Sequence, residues 1–263
     1  MTPQAIYKAV LGLIDLTSLN GSDTYTKIAA MTEKVNRFHE SYPDLPLPAS
    51  ICVYPNFAKT VAQTLRVPGV DVTVVGGCFP ASQSPLPVKI AECEMAVRDG
   101  ADEVDIVLAM NAFLENRPAE AAREIVEIGK AIRAIRPDVV LKVILETGEL
   151  KDPVRIEEAS FLAMESGADF IKTSTGKTAV SATPEAATIM CRCIKKYYEK
   201  TGRMVGFKPA GGVATPEDAL TYWNIVADIL GEKWLDKKYF RFGASRMANN
   251  LLTAIVGSEV KYF

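Results

Sequence analysis

Three lysines sit inside stretches that read as β-strands: Lys142 in VVLKVILETG, Lys172 in ADFIKTSTGK and Lys208 in MVGFKPAGG. A lysine there needs explaining, because a buried charge without a partner is costly and either finds one or shifts its pKa. Strand side chains alternate between two faces. Lys172 therefore shares a face with Phe170 and Ser174, and Lys208 with Gly206, while Ile171, Val205 and Phe207 suit packing against helices. Both lysines then point into one interior. Acids occur in other strand-like runs: Asp15 in LIDLTSLN, Asp105 in EVDIVLAMN and Glu146 in ILETG. A purely structural reading pairs Asp105 and Glu146 with the lysines, but two carboxylates cannot satisfy three ammonium groups equally well. Burial and a cationic neighbour both disfavour the charged form of a lysine. That combination makes an amine nucleophilic at neutral pH, able to attack a carbonyl and form a Schiff base. The spacing does not say which lysine attacks.

A second set combines glycines and hydroxyls: STGKT (Ser174–Thr178), AGGV (Ala210–Val213) and FGAS (Phe242–Ser245). Gly211 and Gly212 let backbone N–H groups approach an anion, and Ser245 falls at the start of the last helix, where the dipole favours negative charge. Plain turn geometry is the competing reading of these glycines. STGKT lacks the upstream glycine of a mononucleotide-binding P-loop.

These residues need a scaffold that brings distant segments together. Strand-like runs recur at Leu13–Thr17, Ala49–Tyr54, Val70–Val75, Glu103–Leu108, Val139–Leu145, Phe170–Ser174, Met204–Lys208 and Tyr239–Phe242. Segments of helical spacing separate them, as in Pro118–Ile135, where Ala122, Ile125, Ile128, Ile132 and Ile135 recur three or four apart. Pro118, Pro153, Pro184 and Pro216 mark first turns, with Thr183 and Thr215 as N-caps, and Gly100, Gly167 and Gly202 follow helices as left-handed caps. Eight strands alternating with helices in 263 residues predict an α/β fold, a single (β/α)8 TIM barrel over residues 1–263. Residues 2–10 are expected to add an N-terminal helix. An open doubly wound sheet is the alternative, but no GxGxxG occurs. In a closed barrel, polar groups at the strands' C-terminal ends share one mouth.

Composition narrows the function. Lys and Arg (30) nearly balance Asp and Glu (32), so neither a nucleic-acid partner nor a membrane surface is indicated. No apolar run approaches the roughly 18 residues that span a bilayer, and MTPQAIYKAVLGL is unlike a signal peptide. A cytoplasmic location is expected. The five cysteines (Cys52, Cys78, Cys93, Cys191, Cys193) form no CxxC and read as reduced thiols. The single histidine, His39, reads as a surface residue, and with no His and Cys cluster a zinc site is not expected.

The segments DLTSLN, EVDIVLAMN, LKVILETG, FIKTSTGK, GFKPAGGV and RFGAS resemble, in order and over essentially the whole chain, those of the 2-deoxyribose-5-phosphate aldolases, class I enzymes. The resemblance implies reversible cleavage of 2-deoxy-D-ribose 5-phosphate to acetaldehyde and D-glyceraldehyde 3-phosphate, with no cofactor and no metal. It assigns the Schiff base to Lys172. Lys208 is implied to lie beside it and depress its pKa, and Asp105 to relay protons with Lys208 and an ordered water. Asp15, Lys142 and Thr175 fall in the supporting polar network, and Cys52 lines the channel. Phosphate binding is expected at Gly176, Lys177, Gly211, Gly212 and Ser245, with Arg246 next to them. A homodimer is implied, with small sugar phosphates and aldehydes as the partners.

Three positions depart from the family pattern. GGVAT stands where relatives read GGVRT, so Ala214 replaces an arginine, and GASR stands for GASS, so Arg246 replaces a serine. We expect Arg246 to supply the positive charge that position 214 lacks. Some relatives end in a tyrosine thought to reach the site, whereas here Tyr262 is penultimate. Two rivals share the same residues: another Schiff-base sugar-phosphate aldolase or transaldolase, and a non-catalytic sugar-phosphate-binding barrel.

Overall fold

Capping threonines and first-turn prolines start the helices where the sequence puts them. The computed structural model describes residues 1–263. The first quarter runs α1 (Pro3–Leu11), β1 (Ile14–Thr17), α2 (Tyr25–Asn36), α3 (Phe38–Ser41), β2 (Ser50–Val53) and α4 (Ala58–Thr64). Next come β3 (Asp71–Gly76), α5 (Leu86–Arg98), β4 (Glu103–Val107), α6 (Met110–Leu114) and α7 (Pro118–Ile135). They are followed by β5 (Val140–Ile144), α8 (Thr147–Leu150), α9 (Pro153–Glu165), β6 (Phe170–Lys172) and α10 (Pro184–Thr201). The last elements are β7 (Gly206–Lys208), α11 (Pro216–Ile229), β8 (Phe242–Ala244) and α12 (Met247–Val256). Thr183 Oγ1 accepts the Ala186 N–H, and Thr215 forms a reciprocal capping box with Asp218.

The eight strands are all parallel, and β1 pairs with both β2 and β8. Parallel bridges Phe207↔Phe240 and Ala210↔Gly243 join β7 to the β8 segment and close the barrel. The expected (β/α)8 TIM barrel is the observed fold. The expected N-terminal helix is α1, which buries Ile6, Val10 and Leu11 and packs against α11 and α12.

Alternation then sorts each strand. Ile14, Leu16, Ile51, Val72, Val74, Val104, Ile106, Leu141, Val143, Ile171 and Phe207 join one apolar core between strands and helices. The interposed residues face inward, and many are polar: Asp15, Ser50, Thr73, Glu103, Asp105, Lys142, Lys172, Lys208 and Arg241 are all buried. Barrels of this kind usually fill that space with branched apolar layers. Here a charged lattice fills it.

The last strand differs from expectation. It covers Phe242–Ala244 rather than Tyr239–Phe242. Tyr239 and Phe240 both donate to the Asp236 carbonyl, so the chain is still leaving a turn there, and toward β7 the backbone of residues 239–241 bonds only to Phe207. Gly243 sits inside the barrel because an added Cβ would come 2.7 Å from Ala210 Cβ and 3.1 Å from Lys208 Cε. β6 also ends early, since the Thr173 hydroxyl replaces the ladder by accepting the Ala210 N–H (3.0 Å).

Candidate active site

Register sets the first geometry. Asp105 lies opposite Lys142 across β4–β5, and Lys172 opposite Lys208 across β6–β7. Curvature brings both pairs to one point. Asp105 Oδ1 accepts from Lys142 Nζ (3.0 Å), and Oδ2 accepts from both Lys172 Nζ and Lys208 Nζ, each at 2.8 Å. Lys208 also contacts Asp15, and Lys142 reaches Glu103 (2.5 Å) and Asp15 (3.8 Å). Arg241 donates to Asp15 Oδ1 (2.6 Å) and Glu103 Oε1 (2.8 Å), and extends to Asp71 (3.2 Å). The Phe170 ring lies 5.9 Å from Lys142 Nζ and 6.0 Å from the Arg241 guanidinium carbon, a cation–π arrangement. Gly206 leaves room for that ring, since a Cβ there would come within 2.4 Å of it.

The number of carboxylate partners separates the three lysines. All are buried, which disfavours their charged forms. Lys142 touches three carboxylates and Lys208 two, whereas Lys172 has only Asp105, shared with Lys208. For Lys208, attraction to Asp105 and Asp15 outweighs burial and raises its pKa. Lys142 is likewise raised against burial by Asp105, Glu103 and Asp15. Lys172 alone is lowered, first by burial and then by repulsion from Lys208, against the pull of Asp105. Burial works to raise the Asp105 pKa, but the three lysines overcome it and hold the carboxyl well below the usual range. Four cations, with Arg241, meet three buried carboxylates. A neutral Lys172 balances the set.

Two members of this lattice escaped the sequence reading. Glu103 lies two residues before Asp105, and alternation places both inside; Arg241 lies between Phe240 and Phe242, which face the helix layer. Both signals were present in the pattern. Glu146 belongs elsewhere: instead of neutralising lysines, it accepts from Thr175 N (3.2 Å) and Thr175 Oγ1 (2.5 Å). Glu146 follows β5 in a left-handed conformation (φ 53, ψ 58), and its side chain reaches the neighbouring loop rather than the barrel axis.

A cavity of about 220 Å³ opens at the strands' C-terminal ends. Of the charged lattice only Lys172 reaches its wall, together with Thr175, Gly176 and Lys177 from the loop after β6. Gly211, Gly212, Ala214, Ser245 and Arg246 line the same cavity. Asp15, Asp105, Lys142 and Lys208 lie beneath it, fully buried. Lys177 Nζ donates to the Leu19 carbonyl (2.5 Å) across the opening. Arg246 is exposed at the N-terminus of α12, one residue beyond Ser245. The Ala214 and Thr215 N–H groups are taken by the Asp218 carboxylate (2.9 and 2.8 Å).

Cys52 faces the barrel interior but is buried with Leu19 and Val75, with Tyr54 and Phe79 packed over them, and is not on the cavity wall. Burial pushes its thiol pKa up. Tyr262 docks elsewhere, donating its hydroxyl to the Lys34 carbonyl (2.8 Å) and packing on Phe38 and Tyr42. His39 is exposed. No group of three or more His, Cys, Asp or Glu side chains is placed to hold a metal ion, and no helix is long and apolar enough to cross a membrane. A larger, open groove of about 1170 Å³ between α5 and α7 contains none of the three lysines.

A model of the DeoC/LacD family of aldolases matches residues 9–223. A Caenorhabditis elegans protein named "Putative deoxyribose-phosphate aldolase" is 40% identical over 250 residues, covering 94% of this chain and 81% of the relative. Among solved structures, QR15, an aldolase, is similar with a TM-score of 0.75 at 27% identity, over 94% of this chain and 96% of that one. The tetrameric deoxyribose phosphate aldolase of Aeropyrum pernix gives 0.72 at 25% identity, over 96% and 92%.

Proposed function

The chain belongs to the DeoC/LacD family of aldolases, and on that footing we propose that it cleaves 2-deoxy-D-ribose 5-phosphate reversibly to acetaldehyde and D-glyceraldehyde 3-phosphate through a Schiff base on Lys172. One observation carries this reading. Lys172 is the only lattice lysine on the cavity wall, and its single carboxylate is shared with a better-paired lysine. It is the amine most easily left neutral.

Neutral Lys172 attacks the C1 aldehyde carbon of the open-chain sugar, and loss of water leaves a protonated imine. The C3 hydroxyl gives up its proton as the C2–C3 bond breaks. Its electrons move into the imine to form an enamine, and C3 becomes the aldehyde carbon of D-glyceraldehyde 3-phosphate. Protonation of the enamine at C2 and hydrolysis of the imine release acetaldehyde and return the amine. Asp105 and Lys208, with a water, serve as the proton relay, because Asp105 Oδ2 touches both lysines at 2.8 Å. Asp15 and Lys142 hold that carboxylate and Lys208 in register.

The substrate phosphate is assigned to the other end of the cavity, at Gly176, Lys177, Gly211, Gly212, Ser245 and Arg246. With Ala214 unable to supply charge, Arg246 provides it from the α12 side. The five free thiols, four of them buried, suit a reducing compartment and favour a cytoplasmic location.

Borohydride reduction in the presence of acetaldehyde, followed by peptide mass spectrometry, tests the reading. An ethyl adduct on Lys172 is expected. Its absence overturns the mechanism, and an adduct formed only with a dihydroxyacetone-type donor points to the transaldolase class instead.

A further inference from the structure

We propose that Glu146 is a positioning residue for the phosphate-facing wall of the cavity, acting through Thr175. The proposal rests on the aldolase reading above.

Glu146 has φ 53 and ψ 58, a left-handed conformation that a non-glycine residue keeps only where its surroundings fix it. Its side chain is 4% exposed. The carboxylate faces hydroxyls and an amide rather than a cation. Oε1 accepts from Thr175 N (3.2 Å), and Oε2 accepts from Thr175 Oγ1 (2.5 Å); the Thr178 hydroxyl, 3.3 Å from Oε1, is shared with the nearer Val180 carbonyl at 3.0 Å. Because the Thr175 hydroxyl proton goes to Glu146, its lone pair is left to accept the Lys177 N–H (3.0 Å). A carboxylate only accepts, so it matches a set composed entirely of donors.

The neighbouring backbone reinforces the clamp. Thr147 N donates to the Thr173 carbonyl (3.0 Å), and a Cβ on Gly148 would lie 2.0 Å from the Val180 carbonyl oxygen. On the loop's far side, a Cβ on Gly211 would come 2.9 Å from Gly176 Cα and 2.6 Å from Ser181 Oγ. The segment from Ser174 to Ser181 is thus pressed between Glu146–Gly148 and Gly211. Thr175, Gly176, Lys177 and Gly211 form cavity wall, while Glu146 stands behind it. Its effect should therefore fall on phosphate recognition rather than on the imine.

The test compares 2-deoxyribose 5-phosphate with 2-deoxyribose in wild type and Glu146→Gln, alongside acetaldehyde–borohydride trapping. The glutamine puts a donor where Thr175 needs an acceptor. We expect kcat/KM for the phosphate ester to fall about tenfold, about 1.4 kcal/mol, mainly through KM. The unphosphorylated sugar should change less than about threefold, with Lys172 still trapped. Should Glu146→Gln fail to fold, Thr175→Val and Thr175→Ser carry the comparison. The valine lowers the phosphate preference, and the serine, which keeps the hydroxyl, recovers more of it. Trapping in both proteins with an unchanged ratio between the two sugars overturns the role of Glu146 alone. Absence of any adduct in wild type overturns the aldolase reading and this proposal with it.

Discussion

Replacing Arg241 with methionine should weaken the fold and, from a position away from the cavity, hold Lys172 in its unreactive form. The guanidinium is 3% exposed and donates to Asp15 and Glu103 at 2.6 and 2.8 Å, both of them buried. Its contact with Asp71, whose side chain is 37% exposed, is screened by solvent and adds little. Removing one partner from a buried, hydrogen-bonded charge set typically costs roughly 3–5 kcal/mol, because the remaining charges lose their compensation. Urea denaturation at neutral pH should read a loss in that range. The second consequence follows from charge count. With Arg241 gone, Lys142, Lys172 and Lys208 face Asp15, Glu103 and Asp105, three against three, and the balance no longer favours a neutral lysine. Removing a cation raises a lysine pKa. On the proposed Schiff-base mechanism protonation of Lys172 sets the acidic limb of kcat/KM, which should therefore move to higher pH. Arg241→Lys keeps the charge and should leave the limb in place while losing part of the stability. A folded Arg241→Met protein with an unmoved acidic limb refutes the charge-count argument. A stability loss below about 1 kcal/mol refutes the claim that the lattice is tightly coupled.

Arg246→Ser should lower kcat/KM for 2-deoxyribose 5-phosphate about tenfold relative to 2-deoxyribose, as expected for one charge-assisted contact; an unchanged ratio rules out compensation for Ala214. Gly211→Ala places a Cβ 2.6 Å from Ser181 Oγ at φ 78, so it should destabilise by about 1–3 kcal/mol and raise KM. A thermal midpoint equal to wild type contradicts that. Asp105 and Asp15 carry carboxyls depressed by their cationic neighbours against burial. Their folded pKa values lie below the unfolded value of about 3.9, so their stabilisation is complete above it and fades as pH falls through the folded values. The urea midpoint should decline below about pH 4, and a flat profile from about pH 6 to pH 3 runs against this account.

Much of the barrel was legible because its signals are local. Proline and threonine at Thr183–Pro184 and Thr215–Pro216 start helices through dihedral preference and capping, which act within one turn. The apolar spacing of Pro118–Ile135 gave α7 its full length. β8 was displaced because the Asp236 turn, which delays the strand, makes its hydrogen bonds to residues the hydrophobic pattern does not weigh. Alternation also put Lys172 and Lys208 on the barrel's inner face.

What the sequence alone determined is therefore two inward-facing lysines, Lys172 and Lys208, with Lys142, Asp15 and Asp105 in other strands and glycine-rich segments after β6, β7 and β8. Which groups touch was decided only in three dimensions. Glu103 and Arg241 entered the lattice, Glu146 left it for Thr175, and Cys52 and Tyr262 ended off the cavity wall. The reason is physical. Strand alternation has a period of two and fixes a face from neighbouring residues. The charge state of a buried lysine depends on how many carboxylates lie within a few ångströms. Barrel closure sets that number across residues 67 and 103 positions apart.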